Sequence, residues 1–118
     1  MADSLDMLEY EKLDVYRVAV EHLAFVFKAL PRVPRGNSAL RDQWRRAAMS
    51  ISLNIAEATG KPGVADRANK YAIARGEAME CGAILDVVRL LGFLPTSEVV
   101  AAKELIVRVV EMLTRMCL

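Results

Sequence analysis

An all-α fold, an antiparallel up-down-up-down four-helix bundle that oligomerises, is the architecture this sequence predicts. Three observations carry it. The clusters Pro31-Arg32-Val33-Pro34-Arg35-Gly36, Gly60-Lys61-Pro62-Gly63 and Gly92-Phe93-Leu94-Pro95 cut the chain, and Gly and Pro in such combinations end helices and turn the backbone. The four segments between them place apolar residues at spacings of three and four, never in the period-2 alternation of a strand. The links are short and the segments long, which favours antiparallel neighbours.

The first helix is expected from Asp14 to Leu30. Asp14 can cap it, because its carboxylate accepts from the free N–H groups of the first turn. Tyr16, Ala19, Leu23, Val26 and Leu30 then repeat at helical spacing. The second helix begins at Asn37 or Ser38, either a suitable cap, and ends near Thr59. Its apolar residues occupy two faces. Trp44, Ala47, Ala48, Ile51, Ile55 and Ala58 form one stripe; Met49, Leu53 and Ala56 form another on the far side. A helix with two apolar faces in a small protein has two packing partners, its own core and another subunit. Met49, Leu53 and Ala56 are therefore the candidate oligomer interface.

The third helix spans Val64 to Leu91, with Asp66 in its first turn favoured by the helix dipole and Gly92 placed as its C′ residue. Gly76 and Gly82 within it cost helix propensity; with Ala72, Ala78 and Ala83 they permit close approach of another helix. The fourth helix starts after Pro95, capped by Thr96 or Ser97, and runs to Met116. Val99, Ala102, Ile106, Val109, Leu113 and Met116 alternate at three and four. Glu104–Arg108 and Glu111–Arg115 are i, i+4 pairs in the favourable orientation. Residues 1–12 read as an N-terminal extension and 13–118 as the bundle domain.

With 118 residues the chain suits one domain with its own core. Its apolar share of 54% exceeds what a soluble monomer needs, yet charges interrupt every apolar run before it reaches membrane-spanning length. The acidic Met1–Asp6 lacks the basic-then-apolar pattern of an export signal. Cys81 and Cys117 stand alone, without the further Cys or His of a disulfide or metal framework. A reducing cytoplasm is the expected location. Net charge is only +1 but unevenly spread. Residues 28–75 hold ten bases against three acids, +7, between segments of −4 and −2. Such asymmetry marks a possible polyanion-binding surface.

Two constellations stand out. Arg46, Ser50, Asn54 and Glu57 lie in a row at spacings of four, four and three between the two apolar stripes of the second helix. With Glu80 they form either a structural polar network or a groove, in which Arg46 with Glu57 and Glu80 satisfy one another. Arg32, Arg35, Arg41 and Arg45 are the candidate nucleic-acid contacts. Trp44 belongs to the core stripe and aromatics are few, so such binding would address phosphates and ignore sequence. Catalysis and metals find no support. Di-iron bundles need Glu-x-x-His motifs, and the only histidine, His22, follows Ala19 at that spacing and reads as a boundary residue. Gly60-Lys61-Pro62-Gly63 lacks phosphate-loop spacing and a preceding strand.

The same residues carry a resemblance. Leu40-Arg41, Gln43, Arg46-Ala47-Ala48, Ser50-Ile51, Asn54-Ile55-Ala56-Glu57 and Gly60 resemble the signature of the four-helix-bundle family encoded by intervening sequences of bacterial large-subunit ribosomal RNA genes. Leu13-x-Val15-Tyr16-x-x-Ala19, Ala74-x-Gly76 with Glu80, and Leu91-Gly92-Phe93-Leu94 agree in order, so the likeness covers about residues 10–115. Ser52 stands where many relatives have Pro, and Ala58 where many have Gly. The resemblance implies a ring-like homo-oligomer, a pentamer, with no enzymatic activity. It also implies a distant likeness to the accessory proteins of diversity-generating retroelements, which work with a reverse transcriptase and RNA. The expected function is thus a non-enzymatic, cofactor-free, metal-free homo-oligomeric scaffold or accessory protein that binds RNA or another nucleic acid through its basic surface. The alternative is a protein–protein interaction module without nucleic-acid contact.

Overall fold

Helices begin and end within a residue or two of the breaker clusters. The computed structural model describes residues 7–118. These form four α-helices, α1 (Asp14–Ala29), α2 (Ser38–Thr59), α3 (Val64–Leu90) and α4 (Thr96–Met116), with short 3-10 turns at Glu9–Lys12, Leu30–Arg32 and Arg35–Asn37 and no strand among the described residues. The acidic Met1–Asp6 stretch lies outside the described residues.

Of the expected helix-starting caps only Asn37 stands at an N-cap position. Leu13, Asn37, Gly63 and Pro95 occupy the N-cap positions, and none makes a side-chain cap hydrogen bond. Asp14 sits inside the first turn of α1, where its carboxylate accepts from Arg17 Nη1 at 3.0 Å. Asn37 donates through Nδ2 to the Pro34 carbonyl. Thr96 and Ser97 lie inside α4, because the Pro95 carbonyl already accepts the Glu98 and Val99 N–H groups at 3.1 and 3.2 Å. The end of α3 agrees with its Gly signal. Gly92 adopts φ +73°, its N–H donates to Arg89 O, and Phe93 N–H donates to Val88 O. This paired arrangement satisfies the last carbonyls.

α1 packs against α2 and α4, α2 against α3, and α3 against α4. Partner numbers fall along one helix as they rise along the next. Gln43 meets Glu80 and Glu57 meets Lys70 between α2 and α3; Arg75 meets Thr114 and Asp86 meets Lys103 between α3 and α4. The molecule measures 43 × 35 × 23 Å.

Every residue of the first stripe of α2, from Trp44 to Ala58, is fully buried. It faces Val18, Ala19 and Val26 of α1, Ala78, Cys81, Leu85 and Val88 of α3, and Ala102, Ile106, Val109 and Leu113 of α4 in one continuous core. Phe25 and Trp44 meet edge to face with centroids 6.5 Å apart. The core face of α1 is rotated from the expected stripe. Val15, Val18, Ala19, His22, Val26 and Ala29 are buried, while Tyr16 and Leu23 are only half-buried. His22 is therefore a core residue, not a boundary one, at 0% exposure. α2 continues unbroken through Ser52, whose hydroxyl donates to Met49 O at 3.2 Å. The small residues of α3 split. Ala78 and Gly82 are buried, and a Cβ on Gly82 would stand 3.6 Å from Ile106. Ala72, Gly76 and Ala83 are exposed. The Glu104–Arg108 and Glu111–Arg115 pairs do not form among the described residues, where only nine other ion pairs lie within 4.0 Å. Fully hydrated side chains gain little by closing such a pair.

Candidate functional site

The polar row of α2 faces α3 and divides into three separate sets. Arg46 lies one turn above Ser50 on the rim of the α2–α3 seam. Its Nη1 donates to Glu77 at 3.0 Å and its Nη2 to Glu80 at 2.9 Å. Glu80 also accepts from Gln43 Nε2 at 3.1 Å. The field of Glu77, followed by the hydrogen bond to Glu80, pushes the Arg46 pKa further up. Ser50 and Asn54 serve each other: Asn54 Nδ2 donates to both the carbonyl and the hydroxyl of Ser50 at 2.9 Å. Glu57 does not reach Arg46. It pairs with Lys70 across the seam at 3.1 Å and with Lys61 at 3.9 Å. Along a helix the step from 46 to 57 is three turns, about 16 Å, too far for one ion pair.

Glu77 joins this set without having been singled out from sequence, and Gln43, named there only within the family signature, joins it too. Glu77 stands three residues before Glu80, a spacing that puts both on one helix face. Arg46 remains 58% exposed against 18% and 28% for its two carboxylates. Arg46 and Glu57 thus bridge α2 to α3 at a half-exposed seam, while Ser50 and Asn54 pair within α2. Cys81 lies beneath it, and burial, with Glu80 and Glu77 adding to it, pushes its thiol up to about 12.

The four candidate nucleic-acid contacts gather at the α1–α2 connection. Arg32, Arg35 and Arg41 line one shallow depression with Leu30, Pro31, Val33 and Pro34, and Arg45 follows Arg41 one turn along α2. Their engagements differ. Arg32 forks onto Glu98 of α4, Nη1 to Oε1 at 2.6 Å and Nη2 to Oε2 at 3.2 Å. That hydrogen bond raises the Arg32 pKa and holds the Glu98 carboxyl below its ordinary range. Arg41 Nη1 donates to the carbonyls of Val33 and Pro34, each at 3.2 Å, and so fixes the connection. Arg45 pairs with Asp42 at 3.3 Å. Arg35 is exposed and has no side-chain partner among the described residues.

The second stripe of α2 lies uncovered. Met49 is 38% and Leu53 60% exposed, with Ala56 half-buried beside them. A further apolar surface, of which only the small residues Ala72, Gly76 and Ala83 stand out in the sequence, follows α3 through Met79, Val87 and Leu90 and reaches α4 at Val100 and Val107. Its positions 72, 76, 79, 83, 87 and 90 repeat at helical spacing, a signal the sequence does carry. Among the described residues no group of three or more His, Cys, Asp or Glu is placed to hold a metal ion, and no helix is long and apolar enough to cross a membrane.

The sequence profile of the 23S rRNA-intervening sequence protein family matches residues 11–115. The crystal structure of a protein of unknown function from the S23 ribosomal protein family of Bacteroides thetaiotaomicron VPI-5482 is similar, with a TM-score of 0.82 at 20% identity. The match covers 87% of this chain and 97% of that one, and at such identity it shows the fold alone. No curated protein matches the chain. The match over residues 11–115 is decisive: the chain belongs to the 23S rRNA-intervening sequence protein family.

Proposed function

We propose that this member of the 23S rRNA-intervening sequence protein family is a non-enzymatic scaffold, an antiparallel up-down-up-down four-helix bundle that assembles with copies of itself. The falling order of partners between successive helices supports the topology. The observation that carries self-assembly is the uncovered apolar surface: Leu53 at 60%, Met79 at 54% and Leu90 at 84% exposure, on helices whose opposite faces already fill the core. Apolar patches, one at Met49 and Leu53 and one along Met79, Val87 and Leu90, are the kind of surface that marks association sites in soluble proteins. The family resemblance favours a pentameric ring. Two buried groups support a role without catalysis. His22 is pushed down to about 4 and Cys81 up to about 12, so neither is poised as a base or nucleophile near neutral pH. The free thiols of Cys81 and Cys117 suit the reducing cytoplasm. Light scattering at micromolar concentration is the test. A mass several times 13.1 kDa is expected, and a monomer mass overturns the scaffold reading.

A second reading, contact with RNA or another nucleic acid, is favoured by the convergence of Arg32, Arg35 and Arg41 on one depression with Arg45 beside it. Each subunit supplies few phosphate contacts, and a ring multiplies them by avidity. Binding should be weak, indifferent to sequence and steeply salt-dependent, because each neutralised phosphate releases counterions. Labelled RNA and DNA titrated at ~50 and ~200 mM salt test this, the range over which phosphate-driven affinity falls most visibly. Arg35→Glu with Arg45→Glu should abolish binding. Affinity untouched by that pair removes this depression as the contact, and no binding at the lower salt leaves a protein–protein module as the better account.

A further inference from the structure

We infer that Glu98 is a latch on the arginine depression: it occupies Arg32 in the resting protein and yields it to an incoming phosphate group. The inference rests on the phosphate-contact reading and adds its regulation.

The three arginines of the depression stand in three different conditions. Arg41 is committed, its guanidinium holding two carbonyls of the α1–α2 connection at 3.2 Å. Arg35 is free of partners among the described residues. Arg32 is occupied, but by a side chain rather than by backbone, and from a helix 66 positions away in sequence. Two parallel N–H···O bonds from a guanidinium to a carboxylate have the geometry that a phosphate would also use. Glu98 thus mimics the ligand.

The pair is exposed on both sides, with Arg32 at 45% and Glu98 at 39%. Nothing encloses it, so water and ligand reach the same donors. Solvent and salt screen an exposed pair, and the singly charged phosphodiesters of a nucleic-acid backbone compete for Arg32 without displacing any core contact. Glu98 also has an alternative environment once released. It lies in the first turn of α4, where the helix dipole favours a carboxylate. Arg32, on a three-residue 3-10 turn, has no comparable alternative and moves to the phosphate. While the latch is closed, Arg32 of the depression is held by Glu98 from α4, and Arg35 alone is open to the ligand. When it opens, Arg32 and Arg35 both face the ligand and Arg41 keeps the loop in place.

The experiment measures binding of a single-stranded RNA oligonucleotide to the full chain and to Glu98→Gln, Arg32→Gln and the double variant, with thermal melting as a check on folding. Glu98→Gln should bind about two- to five-fold tighter at ~50 mM salt, the factor an exposed ion pair can withhold. Its salt slope should steepen by up to ~0.7 per subunit, one further phosphate contact on a single strand. In the Arg32→Gln background the same substitution should give no gain. Glu98→Thr, which also removes the charge, repeats the test should Gln disturb α4. Binding by the Glu98 variant alone, with none by the natural chain, supports the latch. Equal affinity of the natural chain and Glu98→Gln overturns it and leaves the binding reading intact. A gain that survives Arg32→Gln also overturns it, because Glu98 then acts only as a repelling charge. No binding by any variant at the lower salt overturns both.

Discussion

His22 shows how much one side chain can impose. Both ring nitrogens are buried without a hydrogen-bond partner, as is Trp44 Nε1. Orphaned polar atoms of this kind cost stability, and the neutral ring costs less than the charged one. Burial accordingly pushes the His22 pKa from 6.5 down to about 4. The sign follows from proton counting. Above pH 6.5 both folded and unfolded chains keep the ring neutral, and stability is at its full value. Between 6.5 and 4 the unfolded chain takes up the proton first, so stability falls with pH. At about 1.36 kcal/mol per pH unit, the complete loss is roughly 3 kcal/mol. Urea midpoints should therefore drop from pH 7 to pH 5 in the natural chain, and His22→Leu should flatten that drop while matching or raising stability at pH 7. An unchanged pH profile in His22→Leu would assign the titration to another group. The spacing of Ala19, His22 and Val26 puts the ring on one stripe, its polarity points to the boundary, and in the fold the spacing prevails.

At the scale of single helices, the ends and the small residues decide the outcome. Gly92 stands at φ +73°, a conformation that costs an L side chain about 1–2 kcal/mol. Gly92→Ala should therefore lower stability by about 1 kcal/mol, allowing for the entropy that Ala removes from the unfolded chain. Gly76 is the opposite case. It is helical and exposed, and a Cβ there meets no atom within 4 Å. Gly76→Ala should stabilise the chain by about 0.5–1 kcal/mol through helix propensity. Thermal midpoints at one fixed protein concentration would check both, with opposite signs expected for the two substitutions. A destabilising Gly76→Ala would mean that another surface closes against that turn of α3. The two glycines look alike in a composition count, and only their backbone angles and surroundings separate them.

For the whole molecule, the decisive property is that apolar surface remains after the core is complete. Met49 and Leu53 are exposed, so a charge at either costs the single bundle little. The same charge placed in an apolar interface costs several kcal/mol. Met49→Glu and Leu53→Glu should therefore split the proposed assembly while helical circular dichroism stays near its natural value. Retention of the natural mass by both variants would exclude the outer stripe of α2 as the interface. The α3–α4 surface around Met79 and Val107 would then be the next apolar candidate to test.

Sequence by itself determined the four helices, their order and the core stripe of α2. These follow from local rules: Gly and Pro end helices wherever they fall, and the 3.6-residue period assigns faces before any partner is known. The family, too, was legible in residues such as Asn54, Glu57 and Gly60. Only tertiary structure decided the partners. Arg46 meets Glu77 and Glu80 across the seam, and Glu57 meets Lys70 instead, because pairing depends on the register between α2 and α3. Arg32 is taken by Glu98 because the chain returns α4 to the end of α1, 66 residues later. Charge sums counted Arg32, Arg41 and Arg45 as available, yet each has an internal partner in the fold. A period along one helix says which face a side chain occupies. What stands opposite that face depends on how the helices are set against one another, and no single segment contains that information.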